Sequence, residues 1–234
     1  MSSKQPKKHD ARSIWVVVAA YNEATVIGPI VSDLVRQSYR VLVVDDGSHD
    51  GTGQIALLAG AAVVTHPVNL GQGAALQTGI KFALQQSAAY VVTFDADGQH
   101  RTSDIERLID ALVAHDAAYA LGSRFLGSSS GMPFGRRLLL QAAICLTRFL
   151  TGLRLTDTHN GLRAMTREGA SRIWLRQNRM AHASEILEQI AASGLSHVEV
   201  PVTIDYTRYS IGKGQRFSDS LAILFDLSAQ KLHR

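Results

Sequence analysis

The sequence predicts an α/β domain, a mostly parallel sheet with helices on both faces. Two observations predict it. Short β-rich runs without alternation, such as IWVVVAA (14–20) and YRVLVV (39–44), have the composition of strands buried on both faces. Between such runs lie segments whose apolar residues keep helical spacing, so strand and helix alternate along the chain. With 234 residues, 46% of them apolar, the chain can bury the core of a single large domain.

The elements follow in order. After the strand at 14–20, Val26, Ile27, Ile30, Val31, Leu34 and Val35 mark a helix, with Pro29 an unfavourable residue near its start. The strand at 39–44 runs into Asp45-Asp46-Gly47-Ser48. A short helix (51–60), a strand (62–66) and a helix (72–86) come next, then a strand (91–94) that ends at Asp95. A helix from 103 to 114 and a strand at 117–121 complete the alternating run. Residues 126–135 read as a Gly/Ser-rich loop, and 136–153 as a helix apolar nearly all round with arginines at its ends. Residues 155–163 are turn-rich, and two further helices fit 167–176 and 182–193. The run at 197–204 carries Pro201, which places it at a sheet edge. The expected organisation is a disordered basic segment (1–12), one catalytic domain (13–215) and an amphipathic C-terminal helix (216–234).

Composition narrows the function. A net charge of +4, scattered along the chain, is too small for nucleic-acid binding. The single cysteine, Cys145, rules out an internal disulfide and suggests a reducing, cytoplasmic setting. The N-terminal segment lacks the apolar run of a signal peptide, and no stretch reaches the ~18 apolar residues of a membrane span. Membrane contact is therefore expected to be peripheral or through a small membrane partner subunit.

The chemistry gathers at strand ends, where α/β sheets bind ligands. Asp95 and Asp97 stand at i and i+2 after the fourth strand, followed by Gly98, Gln99 and His100. Two adjacent anions repel each other, and a hard cation (Mg²⁺ or Mn²⁺) bridging to phosphate resolves the repulsion. An ordinary Asp-Gly turn is the bland alternative. Tyr21-Asn22-Glu23 offers a ring to stack on a base and a carboxylate for ribose hydroxyls. Asp45 to Thr52 offers acids for a ribose or base, or a helix cap by Asp50 or Ser48. Asn69-Leu70-Gly71-Gln72-Gly73 opens a helix and suits either a phosphate or a tight turn. Arg124 ends the fifth strand, where it meets an anion or simply solvent. Of the histidines, His159 beside Asp157 draws the eye, whereas His66, His115, His182 and His197 look isolated; Glu185 reads as a salt-bridge partner.

Taken together, AAYNE (19–23), VVDDGSHDGT (43–52), NLGQGAA (69–75), FDADGQH (94–100), GSR (122–124) and DTHNGLRAM (157–165) resemble the family 2 glycosyltransferases. The nearest branch is that of dolichol-phosphate mannose synthase and the bacterial polyprenyl-phosphate glycosyltransferases. The resemblance implies a GT-A fold with a Rossmann-like sheet, a GDP- or UDP-hexose donor, Mg²⁺ or Mn²⁺, and inversion at the sugar carbon. It implies a polyprenyl (undecaprenyl or dolichyl) phosphate acceptor and a place at the cytoplasmic face of the membrane. Carried over residue by residue, it sets Ala19, Tyr21, Glu23, Val44 and Asp46 in the donor pocket. It sets Asp95, Ala96, Asp97 and Gln99 in the metal–diphosphate segment, Arg124 near the reacting phosphate and Asp157 beside the acceptor. Arg208 and Lys213 match late basic residues that close over the diphosphate, and Arg136 and Arg137 match an acceptor-phosphate site. The chain departs from the pattern at Ala19, where the family has proline, at Gln72, where it often has lysine, and at Gln141, where relatives carry serine.

A lipid phosphate is already an anionic nucleophile, so the first expectation needs no strong base. A sugar or protein hydroxyl acceptor would need Asp157 as base. The helix at 138–147 suits a membrane surface or a buried core, and the tail helix suits membrane, a partner or the domain itself. A phosphatase with Asp95 as nucleophile wants threonine where Gln99 stands. A non-catalytic nucleotide-sugar binder would tolerate loss of Asp97.

Overall fold

A computed structural model describes residues 10–130, 134–178 and 181–206. A seven-stranded sheet is its spine. The strands are β1 (Ile14–Ala20), β2 (Arg40–Asp45), β3 (Ala62–Thr65), β4 (Tyr90–Asp95), β5 (Tyr119–Ser130), β6 (Arg163–Thr166) and β7 (His197–Asp205). Their spatial order is β3-β2-β1-β4-β6-β5-β7. The helices are α1 (Ile27–Arg36), α2 (Thr52–Leu58), α3 (Gln72–Gln85), α4 (Asp104–Ala114), α5 (Phe134–Thr151), α6 (Arg167–Ser171) and α7 (His182–Ser193). A short 3-10 turn at Ala11–Ser13, capped by the Asp10 side chain, precedes β1.

The unalternating strands are buried on both faces, as their composition requires. In β1, Val16 and Val18 face a core closed by Val31 and Leu34 of α1 and by Leu108 and Leu112 of α4. Trp15 and Val17 face the opposite core, closed by Leu76 and Ile80 of α3 and by Ile186 and Ile190 of α7. Pro29 is accommodated because it lies in the first turn of α1, where a missing N–H removes no helical hydrogen bond.

Four expectations need correction. The turn-rich stretch expected at 155–163 ends before Arg163, which opens β6, a strand that the sequence does not predict and that enters antiparallel between β4 and β5. The Gly/Ser run does not end the fifth strand at 121. After a register shift, Ser128–Ser130 pair with Thr203–Asp205 of β7. Gly127 permits this, since a Cβ there would lie 2.2 Å from the Val202 carbonyl oxygen. The helix expected at 167–176 stops at Ser171. The backbone beyond it is captured by side chains instead: Trp174 N–H donates to Gln189, Leu175 N–H to Gln77, and Arg176 and Gln177 N–H to Glu185. Among the described residues Glu185 therefore spends its carboxylate on backbone donors and Gln189 and makes no salt bridge. Strand β7 lies at the sheet edge, as Pro201 predicts. Arg208, Lys213, the first nine residues and the tail helix lie outside the described residues.

Candidate active site

The site lies beyond the carboxyl ends of β1, β2 and β4 and beside the register shift within β5. The turns after β1 and β2 are stapled to each other. Asn22 N–H donates to Ser48 Oγ (2.9 Å), Glu23 N–H to Thr52 Oγ1 (2.8 Å) and Ala24 N–H to Asp50 Oδ2 (3.0 Å). Asp50 and Ser48 thus tie two loops together, and Tyr21 stands 42% exposed at the rim. Val44 is buried in β2, and Ala19 is half-buried beside it in register. Asp46 is buried, and its carboxylate is turned inward. It contacts His66 Nδ1 (2.7 Å) and accepts from Leu70 N–H (3.0 Å) and Gly71 N–H (2.6 Å). His66, through its other nitrogen, reaches Thr78 Oγ1 at 3.0 Å. This histidine anchors the loop that opens α3; it is not isolated.

At the end of β4, Asp95 receives a full set of partners. Gln72 Nε2 donates to Oδ1 (3.1 Å), and His100 Nε2 lies 2.9 Å from Oδ2. Gly161 backs against the same carboxylate so closely that a Cβ would fall 2.1 Å from Oδ2. Burial opposes ionisation here. The His100 hydrogen bond and the charges of His100, Arg163 and His182 outweigh it, holding the Asp95 carboxyl below its usual value. Asp97 is treated differently. Its Oδ1 accepts Gln99 N–H (3.1 Å). Burial first, and then the charge of Asp95, push its carboxyl up to about 6. Ala96 and Gln99 are buried between and beside the two acids.

Arg124 does not end the fifth strand but lies within β5, at the register shift after Ser123. Buried there, it donates from Nε to Asp157 Oδ2 (2.6 Å), from Nη1 to Tyr206 OH (2.8 Å) and from Nη2 to the His159 carbonyl (2.7 Å). Its backbone N–H donates to Asp157 Oδ2 as well, and Asp157 Oδ1 accepts His159 N–H (3.2 Å). Burial works against the Arg124 charge, yet Asp157 and Tyr206 hold it above its usual value. Chiefly through burial, and against the charge of Asp157, the His159 imidazole falls to about 4. In the first turn of α5, Arg137 is exposed.

Sequence reasoning missed two residues. Arg163 of β6 is buried and carries its charge toward both Asp95 and Asp157, burial lowering its pKa against their pull. A lone cation within a short apolar run was the available signal. His182, at the start of α7, is also buried and acts on Asp95.

The residues fit a hard divalent cation. Among the described residues only the charge of His100 favours the Asp97 carboxylate, and burial and Asp95 outweigh it, while Asp95 is held below its usual value. Among the described residues no third histidine, cysteine or acid joins them in a closed metal cluster. Such a two-carboxylate set leaves the remaining positions to water and phosphate, as Mg²⁺-type sites do.

Paired acids at the rim of a mostly parallel sheet suit the binding of a phosphate-bearing ligand through a cation. The chain belongs to glycosyl transferase family 2, whose profile matches residues 15–174, and it is accordingly a glycosyltransferase. It is 37% identical to an uncharacterized protein of Methanocaldococcus jannaschii, over 94% of this chain and 92% of the other. It is 30% identical to the UDP-N-acetylglucosamine–dolichyl-phosphate N-acetylglucosaminyltransferase of Methanococcus voltae, over 94% and 96%. The fold matches glucosyl-3-phosphoglycerate synthase from Mycobacterium tuberculosis, crystallised with Mn²⁺ and UDP-glucose. That match has a TM-score of 0.70 at 21% identity and covers 95% of this chain and 78% of the other. The GT-A fold implied by the motifs is the fold observed.

Proposed function

We propose that the protein transfers a hexose from a nucleoside-diphosphate sugar to a polyprenyl phosphate, inverting the sugar carbon. The observation that carries this reading is the unequal acid pair at the end of β4. Asp95 and Asp97, with Gln99 beside them, would hold Mg²⁺ or Mn²⁺. When bound, the cation neutralises charge that builds on the departing diphosphate. Tyr21 offers its ring to the base, Glu23 lies near the ribose side, and Ala19, Val44 and Ala96 form the pocket floor. Asp46 contributes indirectly, by fixing the loop at 69–71 against the pocket. Arg208 and Lys213 assist at the diphosphate. Arg124 and Asp157 shape the acceptor side as a fixed pair, and Arg136 and Arg137 meet the acceptor phosphate.

The acceptor assignment draws support from Asp157. Its two oxygens accept three N–H groups, two of them from Arg124. A carboxylate so engaged is a poor general base, and a phosphate acceptor needs none. The name of the Methanococcus voltae relative, which pairs a UDP-sugar with a dolichyl phosphate, supports the same reading. No described helix is long and apolar enough to cross a membrane. Helix α5 instead exposes Leu138 and Phe149, three turns apart on one stripe, with Arg137 and Arg148 beside them. Such a stripe suits peripheral contact with a membrane or with a membrane partner subunit.

The test is transfer of labelled sugar from UDP- and GDP-hexoses to detergent-solubilised undecaprenyl and dolichyl phosphates with Mn²⁺. A lipid-linked monosaccharide is expected. Transfer to sugar hydroxyls with none to lipid would overturn the acceptor.

A further inference from the structure

We infer that the segment Arg172, Trp174, Arg176 is a second membrane contact, which seats an indole and two guanidinium groups among anionic lipid headgroups. The choice of a lipid occupant rests on the lipid acceptor proposed above. Burial alternates along this segment. Ile173 and Leu175 are buried, while Arg172, Trp174 and Arg176 are exposed, the indole by 58%. Ordering a loop when it docks costs free energy. Here the backbone is already fixed. Trp174 is gripped twice by Gln189, which accepts its N–H (2.6 Å) and donates to its carbonyl (2.7 Å). Leu175 N–H is held by Gln77 (2.6 Å), and Arg176 and Gln177 N–H by Glu185 (3.0 and 2.9 Å).

Four consecutive backbone donors are thus satisfied by side chains from α3 and α7, so the outward row is preorganised. An amphipathic ring between two guanidinium groups is the chemistry of the interfacial zone, where tryptophan lies at headgroup depth and arginine meets phosphate. Helix α7, which carries two of the clamping side chains, also packs against α5, the helix with the outward Leu138–Phe149 stripe. Exposed Glu168 and Glu188 on the flanking helices keep the local excess of positive charge small. The attraction is therefore modest, salt-sensitive and dependent on the ring.

The chain carries its own probe. Of its two tryptophans, Trp15 is buried edge-on against Phe82, so Trp174 is the exposed one. The experiment follows tryptophan emission and acrylamide quenching of the full chain with phosphatidylcholine vesicles, with and without phosphatidylglycerol. The expected result is a blue shift and reduced quenching on the anionic vesicles, reversed by salt and absent in Trp174→Phe. Arg172→Gln and Arg176→Gln should each weaken binding about fivefold. Unchanged emission on anionic vesicles overturns the inference, as does an equal response to pure phosphatidylcholine. A shift produced by raising protein concentration alone would assign the row to self-association and overturn it too. Transfer to detergent-solubilised lipid reports on the function separately. An enzyme active there but silent on vesicles loses only this contact.

Discussion

The carboxyl end of β4 and the register shift within β5, two strands away, manage buried charge in opposite ways. At β5, Arg124 and Asp157 are matched cation to anion, and every nitrogen of the guanidinium has a partner. At β4, Asp95 is satisfied by Gln72 and His100, but among the described residues Asp97 has one backbone donor, and burial and the neighbouring Asp95 outweigh the charge of His100 on it. The finished pair is architecture that fixes a loop. The other, on the proposal above, is where a cation would complete the site.

The comparison breaks most readily at Asp97. Asp97→Asn should cut turnover by about 10²–10³-fold, the scale of losing one electrostatic stabiliser of the transition state, measured as kcat with saturating donor. The same variant should gain stability without metal. The Asp97 carboxyl titrates at about 6 in the fold against 3.8 in the open chain, so the folded state holds its proton more tightly. That contribution is present below about pH 3.8 and is lost as pH rises through about 6. Thermal melts of metal-free protein should therefore show wild type falling behind Asp97→Asn across this window. Parallel curves would mean that Asp97 is compensated after all.

Next in size is the Arg124–Asp157 pair at β5. Asp157→Ala strands a buried guanidinium and should cost about 3–5 kcal/mol in denaturant unfolding. The paired replacement Arg124→Met with Asp157→Leu should cost less than either single change. If Asp157→Ala is instead stable and simply inactive, the residue is a base and the hydroxyl-acceptor reading gains. A smaller effect sharpens the view of Asp95. His100→Ala should weaken Mn²⁺ binding about 10–100-fold, the usual scale for a group that orients a ligand, and His100→Gln should recover part of it. Smallest is the staple between the first two turns. Ser48→Ala removes one acceptor for Asn22 N–H and should cost about 1 kcal/mol, read by thermal melts.

Much of this was legible in the sequence because buried parallel strands and carboxylates at their ends leave local marks. Strands β1 to β4 and helix α7 fall where periodicity places them. The residues that escaped are those whose role is decided by distant partners. RAMT (163–166) is too short to show a period, and it becomes β6 only because β4 and β5 flank it. Ser128–Ser130 read as loop until β7 supplies hydrogen bonds. The helix after Thr166 ends early because Gln77, Glu185 and Gln189 compete for its N–H groups. Asp46 looks like a ligand-facing acid in sequence, yet three protein groups occupy its carboxylate.

The most direct test is a Mn²⁺ titration by electron paramagnetic resonance, with and without UDP or GDP. Wild type should bind the ion tightly only when the nucleotide is present, and Asp95→Asn and Asp97→Asn should each lose that ternary complex. Variants that hold Mn²⁺ and nucleotide as wild type does would contradict the account.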